Sequence, residues 1–561
     1  MSYNPPRQSS PIDTGDPLEI QLVYNLTQCG TCSFFWPSDA SRQPYGPYPG
    51  FDFQTEFPPE VTGASNPAGG AWLTAQTQAP SFPNPEVIDG CRKAPIMTIG
   101  INPNLTAFAP GRTGAAWCYP NFTSDAGTDL YAKTAYYYRY RSVFQERFDL
   151  SFIQQYLLPT GQVAAPKSGV VTGAARPSDS PSFEVTVRYD GDTADTVIHL
   201  TENVGEPRYV VLFDIYAPNN RFNKGDIIAA KLDVPAGKTA EVYQQPIGYY
   251  EQFVPVLQQF ENFLTAQGHA DANLRIGEDV GQLDMVACAS PHWGPGFLGG
   301  TAATESTIIQ NCVTKNAWAI KQLVQTQPAV LFLVGESSYD MFRSAFGRLI
   351  QPAYSANLPD GAFTLLRQSI DSSQPRLIQF ATTIDGQKYS LSTRLVVSPH
   401  FSYDTNFLPQ FRLSETDWNT FGQKFSACLQ FLRTDKRINY VAAQTGSFAA
   451  YQIVSNAAAA GVLADLQSNY ASAMPMLNAG YYDAHAMMAG VLQDLYTTGS
   501  LSYVSPAAGK SGYLARTQGA CQFCVNSHWK FPLGCPYGKN LEPAPAAGFL
   551  GKVAAAFVAA G

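Results

Sequence analysis

Charge is scarce in this sequence, and so is any long apolar run. Only 14% of its 561 residues are charged while 45% are hydrophobic, which excludes the charge-rich, weakly apolar composition of a disordered chain. No apolar stretch reaches about 18 residues, so no membrane-spanning helix is expected. The opening "MSYNPPRQSSPIDTGD" lacks the basic-then-apolar pattern of a secretion signal, so a cytoplasmic protein is expected. A basic surplus is missing too: 36 Lys plus Arg stand against 44 Asp plus Glu, a formal charge of -8. That is the wrong sign for gripping nucleic acid through overall charge, so such binding requires a local patch. The glycosylation-like triplets at Asn25, Asn104 and Asn121 read as chance matches in an unsecreted chain.

What is present is material for large cores, with 30 Tyr and 34 Phe. The length fits about three or four structural units. Four apolar runs end in turn residues: "PIMTIG" (Pro95 to Gly100), "QLDMVACASP" (Gln282 to Pro291), "AVLFLVG" (Ala329 to Gly335) and "STRLVVSPH" (Ser392 to His400). Alternating with helical patterns such as "YYEQFVPVLQQFENFLTAQG" and "AWAIKQLVQ", they predict an α/β fold with a mostly parallel sheet covered by helices on both faces. Ligands of such sheets sit beyond the carboxyl ends of the strands, so the four strand-end loops converge on one site.

A Pro/Gly/Ser-rich stretch, "AAPKSGVVTGAARPSDSPS", interrupts this pattern, and alternating segments with Asp-Gly and Asn-Asn turns follow it. They predict an inserted β module over 159–245, dividing the core into 1–158 and 246–435. Residues 436–561, Ala-rich and ending in a Cys-rich tail, are expected to form an α-helical extension.

Ten cysteines in a reducing compartment point to metal ligation before disulfides. Cys29 and Cys32 form a tight pair, and Cys288 and Cys312 flank a Gly/Pro-rich loop; four such thiolates suit a [4Fe-4S] cluster. Cys521, Cys524, His528 and Cys535 form a second compact array, compatible with zinc or a second cluster.

Two strand-end loops carry acid–base chemistry. Asn102 follows the first strand and His400 another. A carboxamide that orients water, facing an imidazole that stabilises a departing anion, is a minimal apparatus for hydrolysing a bond whose leaving group takes the negative charge. Release of a base from deoxyribose is such a reaction.

At these residues the chain resembles the uracil-DNA glycosylase superfamily. "GINPNLTAF...GRTGAAW" resembles its first motif in the Gly-Ile-Asn-Pro form, and "SPHFSY" its second. "LDMVACASP" and the segment opening at Cys312 resemble the middle of the iron-sulfur class, which also has a CxxC near its start. The resemblance spans roughly residues 20 to 125 and 250 to 432, about half the chain. It implies a three-layer α/β/α sandwich and assigns Cys29, Cys32, Cys288 and Cys312 to the cluster. It implies that Asn102 orients the attacking water and that His400 hydrogen-bonds the base as it becomes anionic. Gly100, Ile101, Pro103 and Ser402 would shape the pocket, and Trp117 or Tyr119 would stack on a base flipped out of the helix. Phe401, Tyr403, Phe407 or Leu408 would fill the gap left behind. Asp284 stands where the family has an Asn that reads the base.

The resemblance implies DNA as the partner, single-stranded or with a flipped base. The nearest match to a nucleic-acid platform is Tyr131 to Phe148, where Lys133, Arg139, Arg141 and Arg147 interleave with aromatics. Two other readings remain open: a silent glycosylase-fold protein serving as a nucleic-acid-binding or assembly module, and an enzyme of free nucleosides or nucleotides.

Overall fold

The computed structural model describes residues 94–101, 252–272, 274, 279–287, 302–354, 361–442, 448–505, 513–516 and 548–561, together with strands and one turn between 147 and 246. The central sheet contains β1 (Ile96–Gly100), β2 (Val280–Asp284), β3 (Val330–Val334), β4 (Ile350–Gln351), β5 (Leu377–Ile384) and β6 (Gln387–Ser398). Their order is β2-β1-β3-β6-β5-β4. β1 is parallel to β2 and β3, and β3 to β6, while β5 runs antiparallel to β6 and β4. The fold is therefore mixed α/β around a mostly parallel sheet.

Sequence explains the pairing. Every residue of β1, IMTIG, and of β3, VLFLV, is buried, as expected of inner parallel strands enclosed on both faces. β6 changes character along its length. Its first residues alternate between exposed and buried while they pair with β5 alone, and from Arg394, where pairing with β3 starts, every residue to Ser398 is buried.

Helices pack in two groups. α1 (Val254–Ala266) buries Val256, Leu257, Phe260 and Leu264, an i, i+1, i+4, i+8 stripe that fits one helix face. It packs on α10 (Ala484–Thr497), which also touches α5 (Gly361–Ile370) and β6. In the other group α11 (Phe549–Ala560) packs on α3 (Trp318–Thr326), α4 (Glu336–Phe346) and β5. No helix among the described residues is long and apolar enough to cross a membrane.

A second, antiparallel sheet contains β7 (Gln410–Ser414), β8 (Ile438–Ala442), β9 (Phe448–Ile453) and β10 (Tyr481–Tyr482), in the order β8-β9-β7-β10. With α6 (Glu415–Lys424), α7 (Ser426–Thr434), α8 (Asn456–Asn469) and α9 (Met474–Gly480) it encloses its own core, including Phe411, Trp418, Phe421, Leu432, Tyr451 and Val462. β8, β9 and β10 lie beyond residue 435, so the described residues of the carboxyl-terminal quarter, expected to be α-helical, hold strands as well as helices. Its strands are short and partly Ala-built, and Ala hides the alternation that marks a strand. α10 and α11 return to the central sheet.

Between β1 and α1 the chain contains a six-stranded sheet including Ser168–Ala175, Ser182–Tyr189 and Thr196–Thr201, with Gly191 at φ 84° in the turn before the last of these. The sheet begins with Arg147–Asp149, ahead of the expected start at 159, so the end of the basic aromatic stretch is a strand of this sheet.

Candidate functional site

From β1 the chain reaches β2 on one side, then passes over β1 to reach β3 on the other. Such a reversal opens a crevice beyond the carboxyl ends of β1 and β3. The loop expected to carry Asn102 leaves from this point. Its direction is set by pairing that continues past the strands: Met285 N donates to Gly100 O at 3.0 Å and Val286 N to Ile101 O at 2.8 Å. Asp284, half-buried, is the register partner of Gly100. Asn102, Pro103, Trp117 and Tyr119 lie outside the described residues, as does the basic aromatic stretch before Arg147.

His400 enters the same edge from β6. Gly335, just after β3, donates its N–H to Ser398 O at 2.9 Å, which holds the two strand ends together. Gly335 has φ 83°, and a Cβ there would meet Cβ and Cδ2 of His400 at 3.2 Å. The imidazole thus packs on bare backbone.

The His400 tautomer follows from its neighbour. Ser402 N donates to His400 Nδ1 at 3.3 Å, so Nδ1 accepts and the ring proton belongs on Nε2. Burial pushes the pKa of His400 below its ordinary value, favouring the neutral form. Neutral, with Nε2 protonated, the ring is a hydrogen-bond donor that needs no positive charge.

The loop after His400 divides its aromatics. Phe401 is 1% exposed and packs against Phe253 at 5.5 Å and Phe407 at 6.2 Å. Phe407 is buried and stacks on His485 at 5.0 Å, whose Nε2 lies 3.2 Å from Gln252 Oε1. Phe401 and Phe407 therefore anchor the loop to the core, and neither is placed to fill a gap in DNA. Tyr403, 60% exposed with its ring 5.4 Å from His400, presents an open aromatic face. Ser402 is exposed and Leu408 half-buried. Sequence reading missed Gly335, Phe253 and His485; a glycine closing a buried strand was the one local signal for Gly335.

Among the candidate cluster cysteines, Cys312 is described. It lies in a π-helical turn, Gln310–Lys315, between α2 (Ala302–Ile309) and α3, a geometry common at functional positions. Ala287 N donates to its Sγ at 3.4 Å. Cys312 thus lies against the residue that precedes Cys288 in sequence. Cys29, Cys32, Cys288, Cys521, Cys524, His528 and Cys535 lie outside the described residues. Among the described residues no group of three or more His, Cys, Asp or Glu is arranged to hold a metal ion.

No family model, curated protein or solved structure matches the chain.

Proposed function

We propose that the chain is a glycosylase of the uracil-DNA glycosylase type, hydrolysing the N-glycosidic bond of uracil or a related damaged base in DNA, on a three-layer α/β/α core. The observation that carries the reading is the tautomer of His400. A neutral imidazole with Nδ1 occupied by a backbone N–H offers an Nε2–H donor, at the carboxyl edge of the sheet where the loop leading to Asn102 begins. In the proposed reaction the glycosidic bond breaks with its electron pair leaving on the base. The Nε2–H of His400 hydrogen-bonds the base oxygen as charge gathers there. Asn102 orients a water whose oxygen bonds to the anomeric carbon of the sugar and whose proton ends on the base. Tyr403 is an exposed ring beside this point for the flipped nucleotide or its neighbour.

Cys29, Cys32, Cys288 and Cys312 would hold a [4Fe-4S] cluster, supported at Cys312 by its contact with Ala287. Its contribution would be structural, pinning the amino-terminal segment and the loop after β2. Cys521, Cys524, His528 and Cys535 are proposed as a separate zinc or iron-sulfur site. DNA contact is proposed for the side of the molecule carrying Tyr131 to Phe148.

One observation favours a second reading. Asp284, the register partner of Gly100, puts an acidic residue at the strand end beside the loop that leads to Asn102, and a carboxylate charge close to the base would oppose departure of its anion. A protein that binds without cleaving meets no such conflict, and an enzyme of free nucleosides or nucleotides fits the formal charge of -8, which does not favour a polyanionic partner.

The discriminating experiment is cleavage of uracil-containing single-stranded and duplex oligonucleotides, followed by alkaline scission at abasic sites. Wild type should leave abasic sites, and Asn102→Ala and His400→Ala should each lose roughly 100-fold or more in rate. A folded wild-type protein inert on uracil and on a panel of damaged bases would defeat the enzyme reading.

A further inference from the structure

A cleft of about 500 Å³ opens beside α4 and β4, its lining including Tyr339, Arg343, Arg348, Ile350, Tyr354 and Gly561 but not His400. This volume is typical of small-molecule sites. Tyr339 is 1% exposed, yet its hydroxyl has no hydrogen-bond partner; the buried hydroxyl of Tyr354 has none either. The two rings meet edge to face at 5.0 Å, and the two hydroxyls are near enough to act on each other electrostatically. Arg343 lies close to the Tyr339 hydroxyl and the Ser369 hydroxyl close to that of Tyr354, in each case near hydrogen-bonding range but short of hydrogen-bond geometry.

Positive charge surrounds the pair. Arg343 lies with its guanidinium carbon 5.9 Å from the Tyr339 ring centre, and Arg376 lies 5.0 Å from that of Tyr354. Arg376 donates to Pro352 O and Ala353 O and keeps a buried Nε without a partner. Arg343, Arg348 and Arg376 form no ion pair with a described carboxylate, although Asp340 is near enough to act on Tyr339. Two buried donors without acceptors, ringed by unneutralised guanidinium groups, are complementary to an oxyanion. Tyr339 and Arg343 of α4, Arg348 just after it and Tyr354 beyond β4 together supply more donors than the two oxygens of a carboxylate take up, which suits a tetrahedral oxyanion better.

We propose that this cleft binds a small phosphate monoester, its phosphate accepting hydrogen bonds from Tyr339 and Tyr354 and facing the charges of Arg343 and Arg348. The site is independent of the glycosylase reading.

The test is calorimetric titration of the full-length protein with inorganic phosphate, glycerol 3-phosphate and dimethyl phosphate, at ionic strength held constant with chloride. The first two should bind saturably and the diester should not. Tyr339→Phe, which keeps the ring and deletes only an unpartnered hydroxyl, should fold as stably as wild type and bind about tenfold more weakly, as should Arg343→Gln. Absence of saturable binding, unchanged affinity in Tyr339→Phe, or equal binding of the diester, which would mark a nucleic-acid backbone site, overturns the proposal.

Discussion

Gly335 and His400 are packed so closely that a methyl group on the glycine would lie 3.2 Å from two carbons of the imidazole. The glycine also sits at φ 83°, a region that disfavours any residue with a Cβ. Gly335→Ala should destabilise the protein by about 1 to 3 kcal/mol. It should also lower excision more than that loss of folded protein explains, because His400 must move. Chemical denaturation and single-turnover cleavage on the same preparation check both effects; unchanged cleavage would detach His400 from the chemistry.

Asp284→Asn replaces a carboxylate beside Gly100 with a group that can both donate to and accept from a base. Uracil excision should rise, by roughly tenfold or more if one charge–anion repulsion is removed. A fall in activity would mean that the carboxylate takes part in the reaction or recognises a different base.

Acidification should weaken the fold through two histidines. Burial lowers the pKa of both His400 and His485 from the ordinary value of 6.5. Between the folded and unfolded values the unfolded chain binds more protons, so stability is complete above about 6.5 and declines as pH falls toward the folded values. Urea midpoints from pH 8 down to about 5 should follow that course in wild type. His485→Phe, which cannot be protonated, should flatten part of the slope; an unchanged slope would remove His485 from the effect.

Cys312 and Cys428 are both buried but differ in surroundings. Burial pushes the Cys428 thiol up to about 11, the behaviour of an inert core cysteine, whereas Cys312 Sγ receives an N–H. Anaerobically purified wild type should be coloured and contain iron. Cys428→Ser should keep the colour, and Cys312→Ser should lose it along with thermal stability. Colourless, iron-free wild type would sink the cluster assignment.

Arg516 reaches back across the sequence to donate to Pro328 O at 3.0 Å, to Ser392 O at 2.8 Å and to Gln327 O. Its removal leaves the carbonyls of Gln327 and Pro328 before β3, and of Ser392 within β6, without a charged donor. Arg516→Ala should lower unfolding free energy by about 2 to 4 kcal/mol, read from denaturant midpoints.

The sheet was legible where burial is uniform. β1 and β3 read as continuous apolar runs because inner parallel strands touch helices on both sides, and the glycines and His400 closing such runs marked the edge of the site. The second sheet was not legible: INYVA and FAAYQI are short segments whose alanines carry no inside–outside signal. Nor does sequence tell which aromatic of a loop turns inward. Phe401, Tyr403 and Phe407 are alike as residue types, and their different fates depend on Phe253 and His485, which arrive from distant parts of the chain. The contact of Gly335 with His400 was hidden for the same reason.

The clasp of Arg516 also bears on how the protein is made. A ribosome delivers β1 to β6 long before it delivers Arg516 or α11, which covers α3 and β5. The nascent sheet must therefore wait with its apolar flank open, a state exposed to aggregation during synthesis. Covering of the central sheet is therefore a late event in the birth of the chain, and truncation before Arg516 would leave β3, β5 and β6 without these contacts.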